Sequence, residues 1–285
     1  MPDFVVHEEL ADFWAATEAL YAADPVRHTV ALTAIARRLA RPTPEAPKEI
    51  LITAHDGADL VGAALRMPPY PLIASAIPIG LVDDFVDVVL GITPDLNAVN
   101  GDRESADAFA RAWRDRTGCL VTETMAMRLF RLDTLLTPNV PGRMRLATVD
   151  DAELLGPWRH AFMTEAMSHL PADVDHVAEL RTQIDLAQAI HVLWEVDGIP
   201  VSWAATGPPV NAMSRIGPVY TPAEHRNHGY AAAVTAAISA WATTAGATEV
   251  LLYTDLTNPT SNGVYQRIGF VPVLDATELT FTTPT

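Results

Sequence analysis

The chain has 285 residues, 49% hydrophobic and 19% charged, which suffices for two domains of ordinary size with ample core material. Its net charge of −16 is spread evenly, with 12 basic and 20 acidic residues up to Thr137 and 7 and 15 beyond it; this opposes docking on a nucleic-acid backbone and suits a soluble protein that attracts a cationic substrate. No apolar run approaches the roughly 20 residues of a membrane span, the acidic first ten residues lack a signal core, and the single cysteine, Cys119, excludes an intrachain disulfide or a thiolate metal cluster.

In chain order, periodicity and turn residues predict helices over 8–21 and 26–39, a proline-rich loop over 41–47, and strands over 49–53, 60–67 and 71–76. A helix over 81–90, a strand over 96–99, a helix over 103–116 and strand-like sequence over 119–132 complete the first half. Two prolines and a glycine interrupt regular structure over 135–142. This seam predicts domains over 1–137 and 138–285. The second half reads as a strand over 143–147, helices over 150–167 and 174–187, and strands over 190–196 and 200–206 joined through Asp197-Gly198. A strand over 213–220 precedes a long helix with Val234, Ala237, Ile238 and Trp241 on one face. A strand over 248–254, a short helix over 259–268 and strand sequence over 270–281 end the chain. The two halves repeat one order of elements. The expected fold is α/β (α+β), two copies of a mixed twisted sheet flanked by helices, with a glycine-containing turn at the start of the long helix only in the second.

That turn reads Val219-Tyr220-Thr221-Pro222-Ala223-Glu224-His225-Arg226-Asn227-His228-Gly229-Tyr230-Ala231. A strand ends, a turn follows, and small residues open a helix whose first N–H groups have no intrahelical partner and form an anion site. Gly229 permits a tight backbone and Ala231 a close approach. In the second segment, Asn258 can cap a helix beginning at Pro259, Asn262 and Tyr265 share a helical face, and Gly269 is placed to end it.

Arg226-x-x-Gly229-x-Ala231 resembles the R/Q-x-x-G-x-G/A signature of the GCN5-related N-acetyltransferases, and 215–222 resembles the strand before it. Asn227 stands where glycine is common, and asparagine also adopts left-handed backbone angles. Asn258, Ser261, Val264, Tyr265, Gly269 and Phe270 follow that family's second segment, N-x-x-[A/S]-x-x-[L/I/V]-Y-x-x-x-G-F, in the form N-P-T-S-N-x-x-Y-x-x-I-G-F usual in tandem actinobacterial members. The resemblance covers 143–283 well and the first half only by element order. It implies two tandem domains of that family's fold, the first without a coenzyme A loop and the second catalytic. It further implies acetyl-CoA as donor, with no metal. The main chain of Val219 and Tyr220 and the loop residues Arg226, Asn227, His228, Gly229, Tyr230 and Ala231 would hold the coenzyme. Asn262 would touch its pantetheine arm, and Tyr265 would sit near the sulfur.

Acyl transfer to an amine requires deprotonation of the amine, polarisation of the thioester carbonyl and protonation of the departing thiolate. Tyr265 suits the last role. Glu165, in Phe162-Met163-Thr164-Glu165-Ala166, is the first candidate for the base or for binding an ammonium group, and a water chain is the alternative. Asp255 is a candidate for substrate binding or for capping its loop. Trp203, Asn211 and Met213 are candidates for the acceptor cleft or for sheet core. His169 and His191 are weaker candidates, Glu195 and Asp197 are expected to flank a hairpin in solvent, and Cys119 reads as a small buried residue. The expected activity is N-acetylation of a small-molecule primary amine in the cytoplasm, with no nucleic-acid or membrane partner; a homodimer is allowed. The alternatives are a non-catalytic acyl-CoA sensor and a transferase using a longer acyl-CoA or an aminoacyl-tRNA.

Overall fold

The computed structural model describes residues 2–41, 47–166 and 174–283. Its contacts divide the chain into two units, Met1–Met127 with Leu274–Thr285, and Arg128–Val273. The division differs from the seam at 137/138 expected from the prolines. Asp133 N donates to the Gly269 carbonyl and Leu136 N to that of Ile268, each at 3.0 Å, so this stretch is fastened inside the second unit. Prolines interrupt helix and strand geometry without interrupting tertiary contact.

The elements of the first part of the chain are β1 (Asp3–Val6), α1 (Leu10–Ala23), α2 (Thr29–Ala40), β2 (Ile50–Asp56), β3 (Asp59–Arg66), β4 (Leu72–Ile73), α3 (Val82–Ile92), β5 (Ala98–Asp102), α4 (Arg103–Thr117) and β6 (Leu120–Leu132). The second part contains β7 (Arg143–Leu146), α5 (Ala152–Ala166), α6 (His176–Asp185), β8 (Ile190–Val196), β9 (Ile199–Thr206), β10 (Met213–Tyr220), α7 (Tyr230–Thr244), β11 (Glu249–Asp255), α8 (Pro259–Arg267) and β12 (Phe270–Thr282). Strands β6 and β12 each cross the division between units. Strand β1 carries no alternation strong enough to announce itself in the sequence, and β4 is shorter than the expected 71–76.

In the first unit the strand order is β1-β2-β3-β4-β5-β12-β6. The β4–β5 pair is parallel, whereas β1–β2, β2–β3, β3–β4 and β5–β12 are antiparallel. The distal part of β12 pairs Ala276 with Asp102 through Thr280 with Ala98. Local sequence shows that 270–281 is strand, but not which strand it joins. Phe85, Val86, Val89, Phe109 and Trp113 from α3 and α4 pack with Ile50, Ile52, Leu72 and Val99, and Trp113 stacks on Phe281 at 5.9 Å. Cys119 is half-buried beside this core.

The second unit has the order β6-β11-β10-β9-β8-β7, with β10–β11 parallel and β7–β8, β8–β9 and β9–β10 antiparallel. Alternate side chains point to opposite faces of a strand. Val192 and Ala204 accordingly join Val234 and Ile238 of α7, while Leu193, Trp203 and Ala205 join Leu155 of α5 and Leu180 of α6. A register shift at Trp194/Glu195 breaks the alternation on β8. Glu195 is consequently buried rather than solvated as expected, and accepts from Arg145 Nε at 2.7 Å. Arg145 also holds both carboxylate oxygens of Asp151.

Helix α8 starts as its sequence dictates, with the Asn258 side chain accepting from Ser261 N at 3.0 Å and Pro259 in the first turn. It ends before Gly269, whose φ is +99°, and a Cβ there would collide with the Thr134 carbonyl. Gly269→Ala therefore combines an unfavourable backbone with a steric clash against main chain. We expect a loss of about 2 kcal/mol or more in unfolding free energy, read from urea denaturation; a loss below about 0.5 kcal/mol would contradict this account.

Candidate active site

The parallel register of β10 and β11 runs from Met213–Glu249 to Ile216–Leu252 and stops there. Both strands continue, β10 to Tyr220 and β11 to Asp255, without pairing to each other among the described residues. On its other side β10 keeps β9, with a register shift between Ile216 and Val219. Pro218 in that interval has no N–H to give to a ladder. The result is a gap between two adjacent parallel strands at their C-terminal ends. Such an opening in a sheet presents main-chain polar groups to a ligand.

The turn after β10 leads into α7 at the same end. Arg226 is extended, Asn227 has φ +66°, and Gly229, the residue preceding the helix, has φ +83°. A Cβ on Gly229 would approach Val140 Cγ2 to 3.0 Å. The first intrahelical bond of α7 is Ala233 N to the Gly229 carbonyl. The N–H groups of Gly229, Tyr230, Ala231 and Ala232 have no protein acceptor among the described residues, and no side chain caps them. Residues 226–229 are exposed, and no acidic residue stands in the helix's first turn. His228 donates from Nδ1 to the Arg226 carbonyl at 2.7 Å and stacks on Tyr230 with centroids 5.3 Å apart.

Glu165, near the end of α5, meets this loop directly. Arg226 Nη2 donates to both Glu165 carboxylate oxygens at 2.9 Å, and Nε donates to the Thr221 carbonyl at 2.9 Å. The carboxylate holds the guanidinium above the usual arginine range. The Arg226 Cζ lies 5.8 Å from the Tyr220 ring centroid, and Tyr220 packs 6.3 Å from Trp158. Trp158, Phe162 and Glu165 recur at helical spacing, so the Trp158 contact was readable as one face of α5 although sequence reasoning left it out. Ser202, also missed, donates to the Tyr220 carbonyl at 3.1 Å and lies 2.8 Å from the Thr221 hydroxyl.

Helix α8 follows β11 at the same end of the sheet. Tyr265 is half-buried and packs, with Val219 of β10, against the cluster that contains Ile216, Leu252 and Phe270. Burial pushes its phenol up to about 12. Asn262 donates from Nδ2 to the Asp255 carbonyl at 3.2 Å, while its Oδ1 is buried without a partner among the described residues. An unsatisfied buried acceptor is costly and asks for a donor from a ligand or water. Asp255 caps its own loop, accepting from Thr257 N and Oγ1 at 2.7 Å. Glu165 and Tyr220 thus meet Arg226 of the loop, Tyr265 shares a cluster with Val219, and Asn262 bonds back to the end of β11. His169 lies outside the described residues, among which no group of His, Cys, Asp or Glu could hold a metal and no helix is long and apolar enough to cross a membrane.

The acetyltransferase (GNAT) family model matches residues 155–270 of this chain. A GCN5-related N-acetyltransferase from Kribbella flavida is similar in fold, with 21% identity, TM-score 0.51, and coverage of 89% of this chain and 96% of that one. A tandem GNAT protein from the clavulanic acid biosynthesis pathway matches over the full length of both chains, with 13% identity and TM-score 0.59. A GCN5-related N-acetyltransferase from Sphaerobacter thermophilus has 15% identity and TM-score 0.58, covering 99% of this chain and 96% of that one. No curated protein matches the sequence. The tandem α/β fold expected from element order is therefore the fold observed.

Trp203 does not line a cleft. It is fully buried, donates from Nε1 to His191 Nδ1 at 3.1 Å and stacks on that ring at 5.8 Å. Met213 is equally buried, whereas Asn211 is exposed at φ +49°. The bond from Trp203 requires an unprotonated Nδ1, and burial, aided by the charge of Arg159, lowers His191 to about 4. The unfolded chain, with an ordinary histidine near 6.5, takes up the proton first. Stability from this group is complete above pH 6.5 and declines as pH falls towards 4. Between pH 7.5 and 5 we expect His191 to contribute about 2 kcal/mol to the loss of stability. Urea unfolding at both pH values should show a drop smaller by that amount in His191→Gln; equal drops would remove His191 as the cause.

Proposed function

We propose that the second unit transfers an acetyl group from acetyl-CoA to a primary amine of a small molecule by direct attack. The observation that carries this reading is the opening beyond Ile216–Leu252, at which the unpartnered amides 229–232 and the orphan Asn262 Oδ1 lie on the two elements leaving the separated strands. Amides at a helix start suit a diphosphate. Asn262 Oδ1 suits an amide N–H of a pantetheine arm, and the main chain of Val219 and Tyr220 would orient that arm within the gap. These groups fit the coenzyme that the GNAT family uses.

Acetyl-CoA, when bound, supplies a thioester open to attack at its carbonyl carbon. The protein's own contribution is orientation and proton management. Tyr265 Oη, pushed up to about 12, holds its proton throughout the neutral range and serves the departing sulfur as acid. Two carboxylates at this end are engaged, Glu165 by Arg226 and Asp255 by Thr257. In this reading a water chain carries the proton away from the amine. The evenly acidic chain favours a cationic acceptor over a polyanion such as tRNA. The first unit takes no coenzyme in this reading. At the end of its own parallel pair, β4–β5, His28 Nδ1 meets Ser75 Oγ at 3.0 Å and Arg27 bonds Asp102 and Ser105, so polar side chains of the unit itself occupy that place.

A panel of amines with acetyl-CoA and thiol detection tests the reading. The expected result is coenzyme A release with at least one small primary amine. Tight binding of acetyl-CoA without release across the panel would make the protein a binding module. Tyr265→Phe should lower turnover by roughly a hundredfold while changing acetyl-CoA affinity less than threefold. Unchanged turnover would remove Tyr265 from the chemistry. Because its proton is retained up to about pH 12, an alkaline decline in rate below pH 10 should persist in this variant and belong to another group.

A further inference from the structure

Arg226 is the cation of the loop signature, and its obvious use is to neutralise a phosphate. Its guanidinium is committed elsewhere: to the Thr221 carbonyl, to both oxygens of Glu165, and to the face of Tyr220. Each contact ties the loop back to the end of β10 or to α5. The loop needs such anchors, because Asn227 and Gly229 both hold left-handed angles within three residues and the whole segment is exposed. We propose that Glu165 and Arg226 form a staple that holds the loop in its anion-binding shape. Glu165 is then a positioning residue rather than the base, and the anion site is made by the amides 229–232, not by the guanidinium. Tyr220 and Trp158 extend the staple, since the ring that carries the Arg226 cation is itself backed by α5. This inference rests on the proposed role of the loop as a diphosphate cradle.

Three roles for Glu165 predict different signs. As a staple, its loss loosens the loop and weakens coenzyme binding. As a competitor that occupies a phosphate-binding arginine, its loss frees Arg226 and tightens binding. As the base, its loss lowers turnover, removes the acidic limb of the pH–rate profile and leaves binding unchanged. The test is calorimetric titration of the full chain with coenzyme A and acetyl-CoA, for the wild type, Glu165→Gln, Arg226→Gln and the double variant. The pair is solvent-exposed, so the expected weakening in Glu165→Gln is roughly two- to fivefold. The double variant should bind no more weakly than Arg226→Gln alone, as for two residues acting as one unit. Amide hydrogen exchange over 226–232 in the free protein should rise in Glu165→Gln. Tighter binding, additive losses, or unchanged exchange with unchanged affinity would overturn the proposal. Failure of the wild type to bind coenzyme A would remove the transferase reading, while the exchange measurement on the free protein would still decide the staple.

Discussion

The second unit depends on two parallel strands that agree for four residues and then part. Strands β10 and β11 share a ladder from Met213–Glu249 to Ile216–Leu252, and beyond it each keeps only its outer neighbours. Separating strands inside a sheet exposes main-chain groups that elsewhere satisfy one another. That loss is sustained by what surrounds the gap. Strand β9 holds β10 through a register shift, and apolar side chains from α7 and α8 pack on one face. The gap is also placed so that both following helices begin at its mouth, which concentrates unsatisfied amides where a ligand can reach them.

The charge distribution around this mouth is informative because the chain as a whole is strongly negative. An anionic coenzyme approaching such a protein gains little from long-range attraction. The local field must come from fixed dipoles, and the start of α7 has the required features: no acidic side chain in its first turn, no capping side chain, and a left-handed glycine before it. The nearest arginine is held by a glutamate. In the proposed reading the loop works through geometry, with the ion pair setting its shape and the main chain offering the anion site.

The first unit follows the same order of helices and strands, and its own parallel pair β4–β5 occupies the equivalent place in the connectivity. Its β4 is only two residues long. The polar groups beyond it bond to one another, and burial lowers the His28 imidazole to about 4, so that it remains neutral. One plan of elements thus has two outcomes, an open end lined by unpartnered amides and an end filled by side chains.

The order of helices and strands, the cap at Asn258 and the loop around Gly229 were legible in the sequence. Each is set by residues within one turn of one another: a capping side chain, a proline, a glycine or a run of small residues. What the sequence alone did not determine are the relations between distant segments. It placed Glu165 on a helix but could not show that Arg226, 61 residues later, holds it. It placed Trp203 on a central strand but not on the face that α5 and α6 cover, and it missed the shift that turns Glu195 inward. It identified the last strand but not its partner in the first unit. Local chemistry fixes backbone shape over a few residues, whereas register, strand partnership and the burial of a given side chain are collective outcomes of packing that only the folded chain decides.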